Sequence, residues 1–126
     1  METKRASQLQ DLQTAAKRLQ EALDKKKDDI VRDAVIQRFE FTFELTWKTL
    51  LTVVRENGME FKGVKTVLRD AAQIGLIENI DEWFSFLEAR NRTTHTYDLE
   101  VAEKVYQKAK EFNAALQILL PKITNA

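Results

Sequence analysis

The sequence predicts an all-α protein, an antiparallel four-helix bundle with a short extra helix. Three observations carry this. Only three glycines and one proline interrupt 126 residues, and Leu, Ala, Glu, Lys and Gln, which enter helices at little cost, are plentiful. Apolar residues recur at steps of three and four, the spacing that gathers them on one helical face. Asp or Asn stands where several apolar runs begin, and Gly where others end.

Leu9, Leu12, Ala16, Leu19 and Leu23 draw the apolar stripe of a first helix over roughly residues 4–26. Lys25, Lys26 and Lys27 read as its solvated, dipole-compatible end. Asp28 and Asp29 offer N-caps for the second helix, the longest, from Ile30 to Asn57 with Gly58 as its stop. At about 1.5 Å per residue it runs some 40 Å. Val35, Phe39, Phe43, Trp47, Leu50 and Val54 share one broad face, while Phe41 and Leu45 lie nearly opposite. That second apolar side meets either another helix of the same chain or another subunit.

Gly58 to Gly63 reads as a connection, followed by a short helix carrying Val64, Val67, Leu68 and Ala71 and ended by Gly75. Asn79 caps the next helix, with Glu82 at capping-box spacing, and Trp83, Phe84, Leu87 and Ala89 fill its inward face. Asp98 caps the last, whose core positions are Val101, Val105, Ala109, Phe112, Leu116, Leu119 and Leu120. Pro121 is expected to close it.

The length fits a single domain spanning residues 1–126, without internal repeats or a low-complexity linker. Twenty basic residues balance twenty acidic ones, so no global field draws the chain to nucleic acid or to an anionic membrane, and any RNA contact must be local. The absence of cysteine removes disulfides, thiol nucleophiles and thiolate metal sites. No apolar run approaches a membrane span, and Met1-Glu2-Thr3-Lys4-Arg5 leads into glutamines instead of a signal-type core. The expectation is a soluble, cytoplasmic protein with no membrane association.

Chemistry concentrates in Arg90-Asn91-Arg92-Thr93-Thr94-His95-Thr96-Tyr97-Asp98, between the last two long helices. It holds an Arg-x4-His-x-Tyr pattern with the only histidine. A planar guanidinium matches phosphate oxygens, and imidazole exchanges protons near neutral pH. Arg90 and His95 are the catalytic candidates. Arg90, Asn91, Arg92 and Thr94 are the candidates to hold a phosphate or nucleotide, and Tyr97 offers a modifiable or substrate-binding hydroxyl. For RNA the reaction would be internal: a base takes the 2′-OH proton, the alkoxide attacks phosphorus, and an acid protonates the leaving 5′-oxygen. That chemistry calls for no metal and no cofactor. One imidazole cannot readily be both base and acid, so two such turns facing across a dimer axis would help. The alternative is an interhelical turn in which His95 and the threonines bond local backbone and Arg90 pairs with a carboxylate.

Three stretches extend the reading: Arg38-Phe39-Glu40-Phe41-Thr42-Phe43-Glu44-Leu45-Thr46-Trp47-Lys48-Thr49-Leu50, Ala72-Gln73-Ile74-Gly75-Leu76-Ile77, and Glu88-Ala89-Arg90 running on through Asp98. Together they resemble the nucleotidyltransferase substrate-binding protein family of the HEPN superfamily, over roughly residues 8 to 120. The resemblance implies a HEPN-like helical homodimer, partnered by a separately encoded minimal nucleotidyltransferase. It implies a metal-independent endoribonuclease toxin with Arg90 and His95 at a site built across the dimer. Asn91 fits the common pattern after the arginine; Arg92 and the threonine-rich interior are less ordinary. In HepT-like toxins the tyrosine of this motif is adenylylated by the nucleotidyltransferase acting as antitoxin, which would make Tyr97 the modified residue. The other reading attached to the family is a non-catalytic subunit that binds a substrate or nucleotide for that nucleotidyltransferase. A purely structural helical partner is the third.

Two further features invite simpler readings. Glu40 and Glu44 share a helical face, but no Glu-x-x-His accompanies them and Lys48 stands four residues beyond Glu44, so a helical ion pair is expected in place of a di-metal site. Trp47 and Trp83 fall on apolar faces and read as core instead of base-stacking platforms.

Overall fold

A computed structural model describes residues 2–126; Met1 lies outside the described residues. The chain forms α1 (Lys4–Leu23), α2 (Asp29–Glu56), α3 (Val64–Gln73), α4 (Ile80–Asn91), a 3-10 turn (Thr93–His95) and α5 (Leu99–Thr124). None of the described helices is long and apolar enough to cross a membrane.

Side-chain caps set most of the helix starts. Asp28 accepts from the Val31 N–H at 2.7 Å, Asn79 from that of Glu82 at 3.2 Å, and Asp98 from that of Glu100 at 3.0 Å. Each satisfies a donor that the first turn leaves unpaired. Gly58, at φ 84°, ends α2 while the Met59 N–H reaches back to the Val54 carbonyl.

Cross-helix bonds reveal the directions of the bundle. Arg5 at the start of α1 pairs with Glu56 at the end of α2 (3.6 Å), and Arg38 near the start of α2 donates to the Arg18 carbonyl at 2.6 Å. These two helices are therefore antiparallel. Arg5 also donates to the Ala126 carbonyl, and Asn113 to the Gln20 side chain, so α5 too runs opposite to α1. The longest helix, α2, packs against every other element, and its Phe39 and Phe43 rings meet Phe112 of α5 at 5.3 and 5.8 Å. Phe112 also receives Trp83 and Phe86 of α4 edge-on. These aromatic contacts form the centre of the core.

Several expectations need correction. Pro121 does not end α5, which continues to Thr124. Its ring removes one helical donor, but Ile123 beyond it is wholly buried and the Asn125 N–H still reaches the Pro121 carbonyl at 3.0 Å. Tertiary burial outweighs the local penalty. Helix α1 stops at Leu23, leaving Lys25, Lys26 and Lys27 in the connection. Lys27 is no free helix end: its ammonium donates to Glu103 at 2.5 Å and lies 4.6 Å from the centre of the Tyr106 ring. Phe86, not Phe84, fills the core from α4, because Trp83, Phe86 and Leu87 make its inward stripe. Phe84 sits one step round, half-buried beneath the Arg69 guanidinium. Trp47 is only half-buried.

The second apolar side of α2 meets α1 in part. Phe41 lies under the Arg18 guanidinium, 5.1 Å from its ring centre, and Phe41 and Leu45 line an open groove of about 630 Å³ between α1 and α2.

Candidate functional site

The Arg90 to Asp98 stretch folds as the last turn of α4, a single 3-10 turn and the cap of α5. Its threonines hold the backbone. Thr93 Oγ1 donates to the Arg90 carbonyl at 2.8 Å and Thr96 Oγ1 to the Thr93 carbonyl at 3.2 Å, while the His95 and Asp98 N–H groups donate to the carbonyls of Arg92 and His95. Such local bonds are what short hydroxyl side chains make in turns. They leave the larger side chains to project. His95 and Tyr97 are both exposed, with ring centroids 6.2 Å apart and planes at 77°.

The two arginines part company. Arg90 turns toward α2, where Nη2 forms an ion pair with Glu44 Oε1 and Nη1 donates to Asn91 Oδ1 at 3.1 Å. Arg92, the C-cap of α4, lines an open groove of about 400 Å³ between α4 and α5, among Ser85, Glu88, Lys104 and Lys108. Thr94 is exposed beside His95. At the N-terminus of α5 the Glu100 N–H is taken by the Asp98 carboxylate. The threonine-to-backbone bonds and the Arg90–carboxylate pair foreseen for an interhelical turn are thus both present. His95 and Tyr97 nevertheless stand free enough to meet a ligand.

Glu44 is the participant that spacing missed. It was expected to pair with Lys48 along its own helix; instead its Oε2 accepts from Trp47 Nε1 at 3.1 Å and its Oε1 faces Arg90. Lys48 Nζ lies 5.8 Å from the Trp47 ring centre. Glu44 and Arg90 come from different helices, so no helical repeat links them. The signal within reach of sequence was a half-buried acid and a conformationally long cation in one compact bundle, which names no pair.

A second ionic cluster lies where α2 and α5 begin. Arg32, only 7 % exposed, pairs with Asp29, Asp33 and Glu103, and Lys27 completes it through Glu103. The hydrogen bond from Lys27 is the main cause holding the Glu103 carboxyl below its ordinary value, with Arg32 adding to it and burial opposing. For Arg32, burial works against the charge and the carboxylates prevail, so its pKa is raised.

An all-helical bundle bearing an Arg-x4-His-x-Tyr turn between two long helices is the class that fold and site define. The chain belongs to the nucleotidyltransferase substrate-binding-protein-like family, whose profile matches residues 7–125. It is 33% identical over 103 residues to a Haemophilus influenzae protein named probable ribonuclease HepT, covering 75% of this chain and 70% of that one. A crystal structure of a Thermus thermophilus protein superposes with a TM-score of 0.83 at 31% identity, covering 89% of this chain and 98% of that one. A Haemophilus influenzae structure, described as revealing the fold of a substrate-binding domain of a nucleotidyltransferase, gives the same TM-score at 28% identity, over 92% of this chain and 98% of that one.

Proposed function

We propose that this protein is a HEPN-type, metal-independent endoribonuclease toxin of the cytoplasm, silenced when a separately encoded minimal nucleotidyltransferase antitoxin adenylylates Tyr97. The observation that carries the reading is the single turn, directly after the end of α4 that bears Arg90, that presents exposed His95 and Tyr97 rings edge to face. The name of the Haemophilus relative supports a ribonuclease, and the family's description supports a nucleotidyltransferase partner.

In this reading two protomers bring their turns together. One His95 removes the 2′-OH proton, the alkoxide attacks the adjacent phosphorus, and the partner's imidazolium protonates the departing 5′-oxygen. The P–O5′ bond breaks as the P–O2′ bond forms, leaving a 2′,3′-cyclic phosphate and a 5′-hydroxyl. Arg90 carries charge that develops on the non-bridging oxygens, and Asn91, Arg92 and Thr94 hold the flanking phosphate or nucleotide. An adenylyl group on Tyr97 would set bulk and a negative phosphodiester against His95 and repel RNA.

One observation favours the alternative, a non-catalytic subunit whose Arg90 and Arg92 hold a substrate or nucleotide for the nucleotidyltransferase: the similar Haemophilus influenzae structure is described as a substrate-binding domain of a nucleotidyltransferase. Incubation of a mixed RNA pool in excess EDTA with wild type and with His95→Ala decides between them. The nuclease reading expects cleavage by wild type alone, with cyclic phosphate ends. Intact RNA after incubation with wild type whose Tyr97 is unmodified by mass spectrometry would overturn it in favour of the binding subunit. His95 is exposed, so the substitution should leave stability within about 0.5 kcal/mol.

A further inference from the structure

Glu44 stands near the middle of α2 and turns its carboxylate toward the end of α4, where Arg90 lies. Its Oε1 is shut off from solvent and faces the Arg90 guanidinium, while Oε2 accepts from Trp47 Nε1 at 3.1 Å. The Trp47 ring is itself held, stacked on Phe61 with centroids 6.0 Å apart and planes at 18°. Arg90 is tied a second time, through Nη1 to Asn91. A chain of contacts therefore runs from Phe61 through Trp47 and Glu44 to the guanidinium.

The choice of partner is informative. A glutamate with lysine four residues later can form a weak pair along its own helix. Glu44 forgoes Lys48 for a residue of another helix, although both members of the pair it makes remain partly exposed, Glu44 at 25% and Arg90 at 35%. A carboxylate beside an arginine that must meet phosphate has two opposed effects. It cancels part of the charge that attracts the ligand, and it removes the rotamer freedom of a long side chain, aiming the donors that stay free. Nη1 donates to Asn91 and Nη2 faces the Glu44 carboxylate, while the other guanidinium N–H donors have no partner among the described residues and are left for a ligand.

Resting on the ribonuclease reading above, we propose that Glu44 is a positioning residue: it holds the Arg90 fork in the orientation that meets the non-bridging phosphate oxygens during cleavage, at some expense in ground-state attraction for RNA. The kinetic signature separates this role from simple support of the fold. Removing the carboxylate charge lowers the rate of the bound complex while leaving RNA affinity equal or tighter, since the site becomes more positive.

The test compares wild type with Glu44→Gln and Trp47→Phe, which keeps the ring but removes its donor. Single-turnover cleavage of a mixed-sequence single-stranded RNA should fall roughly 10- to 100-fold in Glu44→Gln, the scale of a small misalignment, and less in Trp47→Phe. Binding of the same RNA, measured in a His95→Ala background, should be unchanged or tighter. Arg90 guanidinium NMR signals should be resolved in the unliganded wild type and averaged in Glu44→Gln. Cleavage that is unchanged or faster in Glu44→Gln overturns the proposal, because the carboxylate would then mask Arg90. A parallel loss of binding, cleavage and melting temperature also overturns it, as a purely structural role. Wild type that leaves RNA intact defeats the ribonuclease reading, and with it the role in cleavage; the NMR comparison then reports separately on the clamp, which identical Arg90 signals in wild type and Glu44→Gln would refute.

Discussion

The imidazole of His95 and the phenol of Tyr97 meet edge to face, 6.2 Å between ring centroids, on a turn where Tyr97 is 82% exposed. The proposed adenylylation would load the phenol oxygen of a ring that already neighbours the imidazole. Tyr97→Phe keeps the ring and removes the phenol oxygen that the proposed adenylylation requires. It is expected to retain RNA cleavage while losing all partner-dependent gain of an adenylyl mass, read by intact-protein mass spectrometry after incubation with the nucleotidyltransferase and ATP. Adenylylation of the Phe variant to the wild-type extent would place the modification elsewhere.

Phe112 is the ring around which the core closes, touching Phe39, Phe43, Trp83 and Phe86. Phe112→Ala should cost about 3–5 kcal/mol in urea unfolding, from lost transfer free energy and an incompletely filled cavity. That is a large share of the roughly 5–15 kcal/mol that holds a domain together. A loss below about 1 kcal/mol would show that the aromatic cluster relaxes around the gap.

Acid should weaken the junction of α2 and α5. Lys27, followed by Arg32, lowers the pKa of Glu103 in the folded protein, so the stabilisation is fully present above the unfolded glutamate value, about 4.3. It is lost as pH falls through the folded value. Melting temperature should therefore drop on acidification through that window, and Glu103→Gln should flatten this part of the profile while lowering stability at neutral pH. Identical profiles for the two proteins would remove Glu103 from the acid response.

Pro121 lies inside the last turns of α5 although its ring offers no helical donor. Pro121→Ala restores the N–H and should stabilise the protein by about 1–3 kcal/mol, less than or equal to the helix-interior penalty because proline also stiffens the unfolded chain. Chemical denaturation measures this directly. A destabilised variant would mean that the exposed proline ring has a packing role.

Local rules were legible because they act within a few residues. Asp28, Asn79 and Asp98 cap the helices they precede in sequence, and Val35, Phe39, Phe43, Leu50 and Val54 are buried on the face their spacing draws. The same locality misled at Pro121, where burial of Ile123 outweighs a backbone penalty, and at Phe84, where the exact phase of a short helix decides which ring goes inward.

Sequence by itself determined the all-helical architecture, most helix limits and the one turn that gathers Arg90, His95 and Tyr97, since periodicity, caps and residue chemistry are properties of neighbouring positions. Tertiary structure alone decided the partners of charge. Glu44 meets Arg90 instead of Lys48, Arg32 is buried among Asp29, Asp33 and Glu103, and Arg90 and Arg92 turn to different helices. Long charged side chains reach several neighbours at nearly equal energy, and only the packing of whole helices selects among them.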